Sequence, residues 1–563
     1  MKRFHSTLVA LLIIGGAASC APPAIVFDGS AYPAENGETR ALLVWVRFAD
    51  DSEPNPDPVT QAARDWADPD VLPSVAGSIV SDDLRRASGL TRYFRDQSLG
   101  AFKLTGLSYP RVFVTEHRED EYRAGDGTLD QSRLTREILT FLDGEGGVDL
   151  EDFDADRDGF VDYLFVVVRS MKHTRLYPSH ASGVSDLGYT SEVPELGKRS
   201  RLRINRDASG SYVRYDNAGN IFPEVDLVRL LAHELGHDLW RDYVHIRPVA
   251  PSPGIPTFAD KQVGYVLMGG AGDARGDETI SAYERDLLGW ITCTPLVRDT
   301  TVVVRDLYSS DRDNCFTYKA PIPGSDRTRT IYLSNRQRIG PFDVLSTETD
   351  PRAASDQGLM ETGLLVMATE SGGRAGPVPA DAGLHLSAAA ADYEGDMFKP
   401  GDRLTPWSRP NSSGYLTFPA NGGNRSTAPG AQVFSGLRIL AETPEGIHVQ
   451  FIADERSGAE FVDGDQIPVM ADLSFPGTAT VLGETILRGS ASFDTLSVSG
   501  VLDLRGVARA GRVHVSPTGV LLVAGVLEVD ELVADTDGRV LVGPNGRITG
   551  RAGRALDAPG GNR

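Results

Sequence analysis

The sequence predicts a multidomain chain: a mixed α/β (α+β) domain, then an all-β sandwich-like domain, then a C-terminal β-solenoid-like repeat segment. Three observations carry this. Strand-like and helix-like patterns alternate up to about residue 299, as in an α/β layer structure. From Thr300 to about Ala453 the apolar runs TVVVRDL, RTIYLSNRQ, GLLVMAT and GIHVQFI are short, and turn residues separate them. From Gly477 to Gly550, glycine-led runs start at Gly500, Gly519 and Gly538, an interval of 19 residues. The competing reading of that last stretch is a meander of hairpins.

At 563 residues the chain has room for several cores, and 40% hydrophobic composition fits a globular protein. A net charge of −22 speaks against nucleic acid as a partner. The N-terminus, MKRFHSTLVALLIIGGAASC, places Lys2 and Arg3 before an apolar run that is too short to span a bilayer. We read residues 1–19 as a secretory leader. Cys20, after Ala17, Ala18 and Ser19, resembles a bacterial lipobox cysteine that becomes a diacylated N-terminus; an ordinary signal peptide is the alternative. The expected location is outside the cytoplasm, as an outer-membrane or cell-surface lipoprotein or a secreted protein. The membrane contact is through the N-terminal lipid alone. Residues 20–40, rich in Pro, Gly and Ala, read as a tether too short for a folded prodomain.

The first domain, 41–299, begins with a strand over Leu42 to Phe48. A helix follows over Leu90 to Gln97, then a strand from Ala101 to Leu104. Leu134, Ile138, Phe141 and Leu142 keep helical spacing up to Gly144. The continuous apolar run Tyr163 to Val168 reads as a strand buried on both faces. Glu224 onward is the helix that matters most, and a shorter helix covers Ser281 to Leu288. The all-β domain is 300–455 and the repeat tail 470–552. Cys293 and Cys315 either form one disulfide or stay as two buried thiols.

The chemistry concentrates in EVDLVRLLAHELGHDLWRDYVH, Glu224 to His245. His233 and His237 are four apart, so a helix puts them on one face, one turn apart, where they can share a metal ion. Leu227, Leu231, Leu235 and Leu239 form an apolar stripe about 200° round the helix from them. Zinc in a hydrolytic site takes three protein ligands and leaves a position for water. Glu234 would be the general base for that zinc-activated water and would later return the proton to the leaving amine. Were the helix to continue, ~1.5 Å per residue would carry His245 about 12 Å from His237. The helix must therefore break near Trp240. Asp242 is then the first choice for the third ligand and His245 the alternative.

A second cation site is suggested by Asp154-x-Asp156-x-Asp158-Gly159-x-x-Asp162, whose carboxylates are spaced like the first half of an EF-hand calcium loop. Position twelve is Phe165, so the bidentate glutamate is missing. An acidic turn entering a buried strand is the alternative.

LLVWVRFADD, RYFRDQSLGAFKLTG, FDADRDGFVDYLFVVV, HELGHDL, Met268 in VLMGGAG, SAYERDLLGW and YLSNRQRIGPFD, in this order, resemble the immune inhibitor A-type secreted metallopeptidases of bacteria. The resemblance covers about Ala41 to Ala453. It implies a metzincin-like zinc peptidase domain, with Met268 in the methionine turn beneath the metal. The family pattern HExGHDLGLPDxY matches through Leu239. It departs at Trp240-Arg241-Asp242-Tyr243, so placing the family's aspartate at Asp242 requires a gap. Ser334 stands where the family often has a glutamate, and GLLVMAT lacks the usual histidine. A similar aspartate-rich turn is common in the family, which keeps calcium in view. The expected function is a zinc-dependent endopeptidase acting on proteins or peptides. The alternatives are a catalytically degenerate surface-binding protein and a zinc amidase acting on cell-wall peptides.

Overall fold

A computed structural model describes residues 37–54, 66–82, 89–176, 183–191, 202–205, 208–215, 224–241, 267–268, 279–309, 312–321, 328–340, 342, 361–369, 375–378, 380, 395, 397–408, 434–467 and 473–550. The architecture is multidomain and mixed α/β, with many strands and few helices.

The first sheet contains β1 (Gly37–Arg47), β2 (Phe102–Ser108), β3 (Phe113–Val114), β4 (Tyr163–Val168), β5 (Gly183–Val184) and β6 (Gly210–Arg214). Its order is β2-β1-β4-β6-β5, with β3 extending the β1 edge. All its pairings are parallel except β5 on β6. Parallel central strands need both faces covered, and their residues divide accordingly. Ala41, Leu43 and Trp45 of β1, with Tyr163, Phe165 and Val167 of β4, enter one core. Leu42, Val44, Val46, Leu164, Val166 and Val168 enter the opposite one. This two-sided burial is why Tyr163 to Val168 reads as one uninterrupted apolar run.

Among the described residues the α-helices of this part of the chain are α1 (Gly89–Gln97), α2 (Gln131–Asp143), α3 (Glu224–Trp240) and α4 (Ala282–Leu287). Asp130 caps α2 by accepting from Arg133 N, and Gly144 terminates it. α2 covers one face through Leu134, Ile138, Leu139 and Leu142. α3 covers the other, with Leu227, Leu231, Leu235 and Leu239 all buried. The leucine stripe therefore turns the histidine face of α3 away from the core.

The second unit contains two sheets. One holds β7 (Thr294–Pro295), β9 (Cys315–Pro321), β10 (Thr328–Arg336), β11 (Gly363–Thr369) and β12 (Ala375–Pro377). The other holds β8 (Thr300–Val304), β13 (Arg403–Leu404), β14 (Gly436–Thr443) and β15 (Gly446–Ile452). Phe316, Leu333 and Val366 from the first sheet, with Leu296 just after β7, meet Val304, Leu437, Ile447 and Phe451 from the second in one core. The first sheet also has a second buried face. Tyr332, Leu365 and Met367 join α1, α3 and α4 in the core beneath the first domain. These two units thus share apolar packing, where the sequence suggested separate cores. Cys293 and Cys315 form a disulfide across their junction.

From Glu460 to Thr549, ahead of the expected boundary at 470, strands alternate between two all-parallel sheets of six and five strands. Val501 pairs with Val520, which pairs with Arg539; Val507 pairs with Val526, which pairs with Arg547. Neighbouring strands in parallel register are not hairpins, which require antiparallel partners. Inward Leu502, Leu504, Leu521, Val523 and Leu527 stack into one continuous core, and Trp407 closes its beginning. No helix among the described residues is long and apolar enough to cross a membrane, which leaves strand-based spanning unaddressed.

Candidate metal centre

α3 ends where the sequence reading places its break. Its last residue is Trp240, and Arg241 follows with φ of 51°, a left-handed conformation that ends a helix. Asp242 and His245, the two choices for a third ligand, lie outside the described residues, as does Cys20.

His233 and His237 stand one turn apart, ring centroids separated by 5.0 Å and planes at 88°. Both are half-buried. His233 Nδ1 lies 2.8 Å from the carbonyl oxygen of Leu267. A carbonyl only accepts, so that ring proton is on Nδ1, and Nε2 is the nitrogen through which this ring would bind a metal.

Glu234 is only 4% exposed. Its carboxylate packs over Gly183 of β5, where a Cβ would collide with it. Among the described residues Oε2 has no hydrogen-bond partner. Burial pushes its pKa well above the usual carboxylate range, and the nearby Asp238 carboxylate pushes the same way. Asp238, one turn further along α3, is buried and accepts a 2.7 Å bond from the Ser185 hydroxyl. Among the described residues these side chains do not bring three donor atoms within reach of one cation, so His233 and His237 would need a further ligand from elsewhere.

Beneath α3 lies Met268, fully buried, in contact range of Gly236: a Cβ there would collide with the Met268 sulfur and crowd the Trp240 ring. Gly236 is thus a requirement of close packing between the histidine helix and the residue below it. The segment carrying Met268 is held by Glu284 of α4. Its Oε1 accepts from Met268 N at 2.9 Å, and its Oε2 accepts from Leu267 N at 3.3 Å and Ser281 N at 2.7 Å. Burial raises the Glu284 pKa, and these N–H groups with the Ser281 hydroxyl oppose that rise. Trp240 Nε1 donates 3.0 Å to the Glu284 carbonyl, tying the end of α3 to the same helix.

The aspartate turn forms a separate cluster. Carboxylate oxygens of Asp154, Asp156 and Asp162 all lie within 4.8 Å of one another, close enough for one cation. Asp158 is not in this group: its carboxylate accepts from Phe160 N at 2.8 Å. Asp162 is buried at the start of β4, accepts from Arg40 N and Ala155 N, and has its pKa pushed up to about 7 by burial and by the charges of Asp156 and Asp154. Its unfolded value is near 3.9. Between roughly pH 4 and 7 the folded chain therefore holds a proton the unfolded chain has lost, and without a cation this group makes stability fall as pH rises. Calcium is expected to cancel that penalty. In thermal melts it should raise the melting temperature more at pH 8 than at pH 5, and Asp156→Ala should abolish the response. Equal melting of both proteins with calcium and with chelator would reduce the cluster to an acidic turn entering β4.

Sequence reasoning singled out His233, Glu234, His237 and Met268, and they converge. It passed over Gly183, Asp238 and Glu284. Asp238 was the most readable of these, because i, i+4 spacing puts it on the Glu234 side of the helix. Compared with known proteins, the chain matches no family model and no curated protein.

Proposed function

We propose that this chain is an exported zinc-dependent endopeptidase, built on a metzincin-like domain with a sandwich domain behind it and a β-solenoid tail. The observation that carries the reading is the HELGH turn itself: two imidazoles on the open face of α3, one with its tautomer fixed by the Leu267 carbonyl, and a desolvated glutamate between them.

His233 and His237 would hold the ion, with Asp242 or His245 as the third ligand. Zinc, when bound, lowers the pKa of a coordinated water and polarises a scissile carbonyl. Glu234 takes the proton that the attacking water loses and passes it to the leaving amine. Gly183 leaves room for the carboxylate at the sheet edge. Calcium at Asp154, Asp156 and Asp162 would brace the entrance to β4. A lipid on Cys20 would tether the protein to the outer membrane or cell surface, and globomycin-sensitive processing tests that.

Casein hydrolysis by the purified chain, with chelation and zinc add-back, tests the reading. Chelator-sensitive cleavage restored by zinc supports it. Bound zinc with no hydrolysis of casein, but release of amide-linked cell-wall peptides, would favour the amidase. Zinc with neither activity would favour a binding protein on a degenerate peptidase scaffold. Asp242→Ala and His245→Ala, compared for zinc content, identify the third ligand.

A further inference from the structure

The peptide unit between Leu267 and Met268 has a partner on each side. Its C=O receives the Nδ1 proton of His233 at 2.8 Å, and its N–H donates to Glu284 Oε1 at 2.9 Å. A trans peptide points these two groups in opposite directions, so Glu284, the peptide and His233 lie in series. Glu284 sits 16 residues away in sequence and is fully buried, so its carboxylate has no competing solvent. Nothing about a helix N-terminus requires such a residue to reach so far. The capping box with Ser281 uses one of its N–H contacts, and the Leu267 and Met268 contacts are additional.

We propose that Glu284 is a positioning residue for the metal centre, acting through the Leu267–Met268 peptide to fix the tautomer of His233 and raise its basicity as a ligand. A metal-bound histidine commonly donates its other ring N–H to a carboxylate or a backbone carbonyl, and such partners set ring orientation and ligand strength. Here a buried carboxylate backs the carbonyl. Its charge polarises the peptide N–H, which makes the C=O at the other end a stronger acceptor. The same two bonds seat Met268 beneath Gly236, so one side chain fixes both the floor under α3 and the imidazole above it. Glutamine at 284 would keep the shape. It would present an amide NH2 where only acceptors fit, because Met268, Leu267 and Ser281 all offer N–H groups.

The proposal rests on the zinc centre proposed above, and its test separates the two. Zinc affinity is measured by competition with a chromophoric chelator for the full chain, Glu284→Gln and Ser281→Ala. In parallel, ¹⁵N-histidine NMR of the metal-free proteins reads the His233 tautomer. Glu284→Gln is expected to weaken zinc binding about 10–100-fold and to lose the fixed Nδ1–H form. Ser281→Ala removes the cap of the same helix without touching the Leu267–Met268 peptide. It also takes a hydroxyl from the Glu284 carboxylate, so it is expected to lower the melting temperature and to change both readouts far less than Glu284→Gln does. Unchanged zinc affinity and tautomer in Glu284→Gln would overturn the proposal. Equal losses in both variants would also overturn it, by reducing Glu284 to a structural cap. If the parent chain binds no zinc while the tautomer still depends on Glu284, the positioning role stands and the peptidase reading falls.

Discussion

Glu234→Gln is expected to lower peptide-bond hydrolysis by about 10²–10⁴-fold, the usual contribution of a positioned general base, with zinc content unchanged. The carboxamide cannot take a proton, yet it fills the same space over Gly183, and neither imidazole is altered. Stability should move the opposite way. Glu234 is a buried acid with an unpartnered oxygen and a carboxylate neighbour, so ionising it there is costly. A neutral side chain of the same shape removes that cost, and the metal-free variant should melt above the metal-free parent. Turnover, atomic absorption and a thermal melt on the two proteins check all three expectations. Retained turnover would remove Glu234 from the chemistry. Lost zinc would make it a ligand or a structural part of the site.

The largest stability effect is expected at the far end of β1. The Arg169 guanidinium is buried. Its Nη1 donates to Asp51 at 2.6 Å, its Nε to the Trp66 carbonyl at 3.0 Å and its Nη2 to the Ala67 carbonyl at 2.9 Å. These bonds tie the ends of β1 and β4 to a segment whose Trp66 stacks edge-on with Trp45 and Tyr215. Those rings belong to the core that also seats the leucines of α3. Asp51→Ala would leave the guanidinium charged, buried and without its carboxylate, which costs about 3–5 kcal/mol when one partner of a buried pair is removed. Denaturant unfolding measures this. Asp51→Ala with Arg169→Leu should recover part of the loss, since no buried charge then remains unpaired. A loss under about 1 kcal/mol, of the size of an exposed ion pair, would mean that water reaches this pair freely.

How much of this was readable beforehand depends on whether a feature is local. The leucine stripe of α3, the run Tyr163 to Val168 and the end of α2 at Gly144 follow from short-range periodicity and side-chain chemistry, and they form as the sequence implies. The sequence placed a break near Trp240 from the reach a third ligand would need, and the helix ends at that residue. The shared core between the first two units was not legible, because alternation on β10 and β11 shows apolar residues without naming the layer that covers each face. Glu284 drew no attention in the sequence beyond its place in the helix Ser281 to Leu288. Its contacts with Leu267 and Met268 arise only when a distant segment folds back over α4. Asp158 shares the spacing of its neighbours, yet its carboxylate turns to Phe160 N and leaves the cation cluster to three residues.

X-ray absorption at the zinc edge, on the purified full chain, tests the metal centre most directly. The expected spectrum shows zinc with two imidazole nitrogens at about 2.0–2.1 Å and lighter O/N donors completing a tetrahedral shell. That signal should vanish in His233→Ala and His237→Ala and persist in Glu234→Gln. A chain that takes up no zinc, or one whose zinc signal is the same after both histidine substitutions, would contradict it.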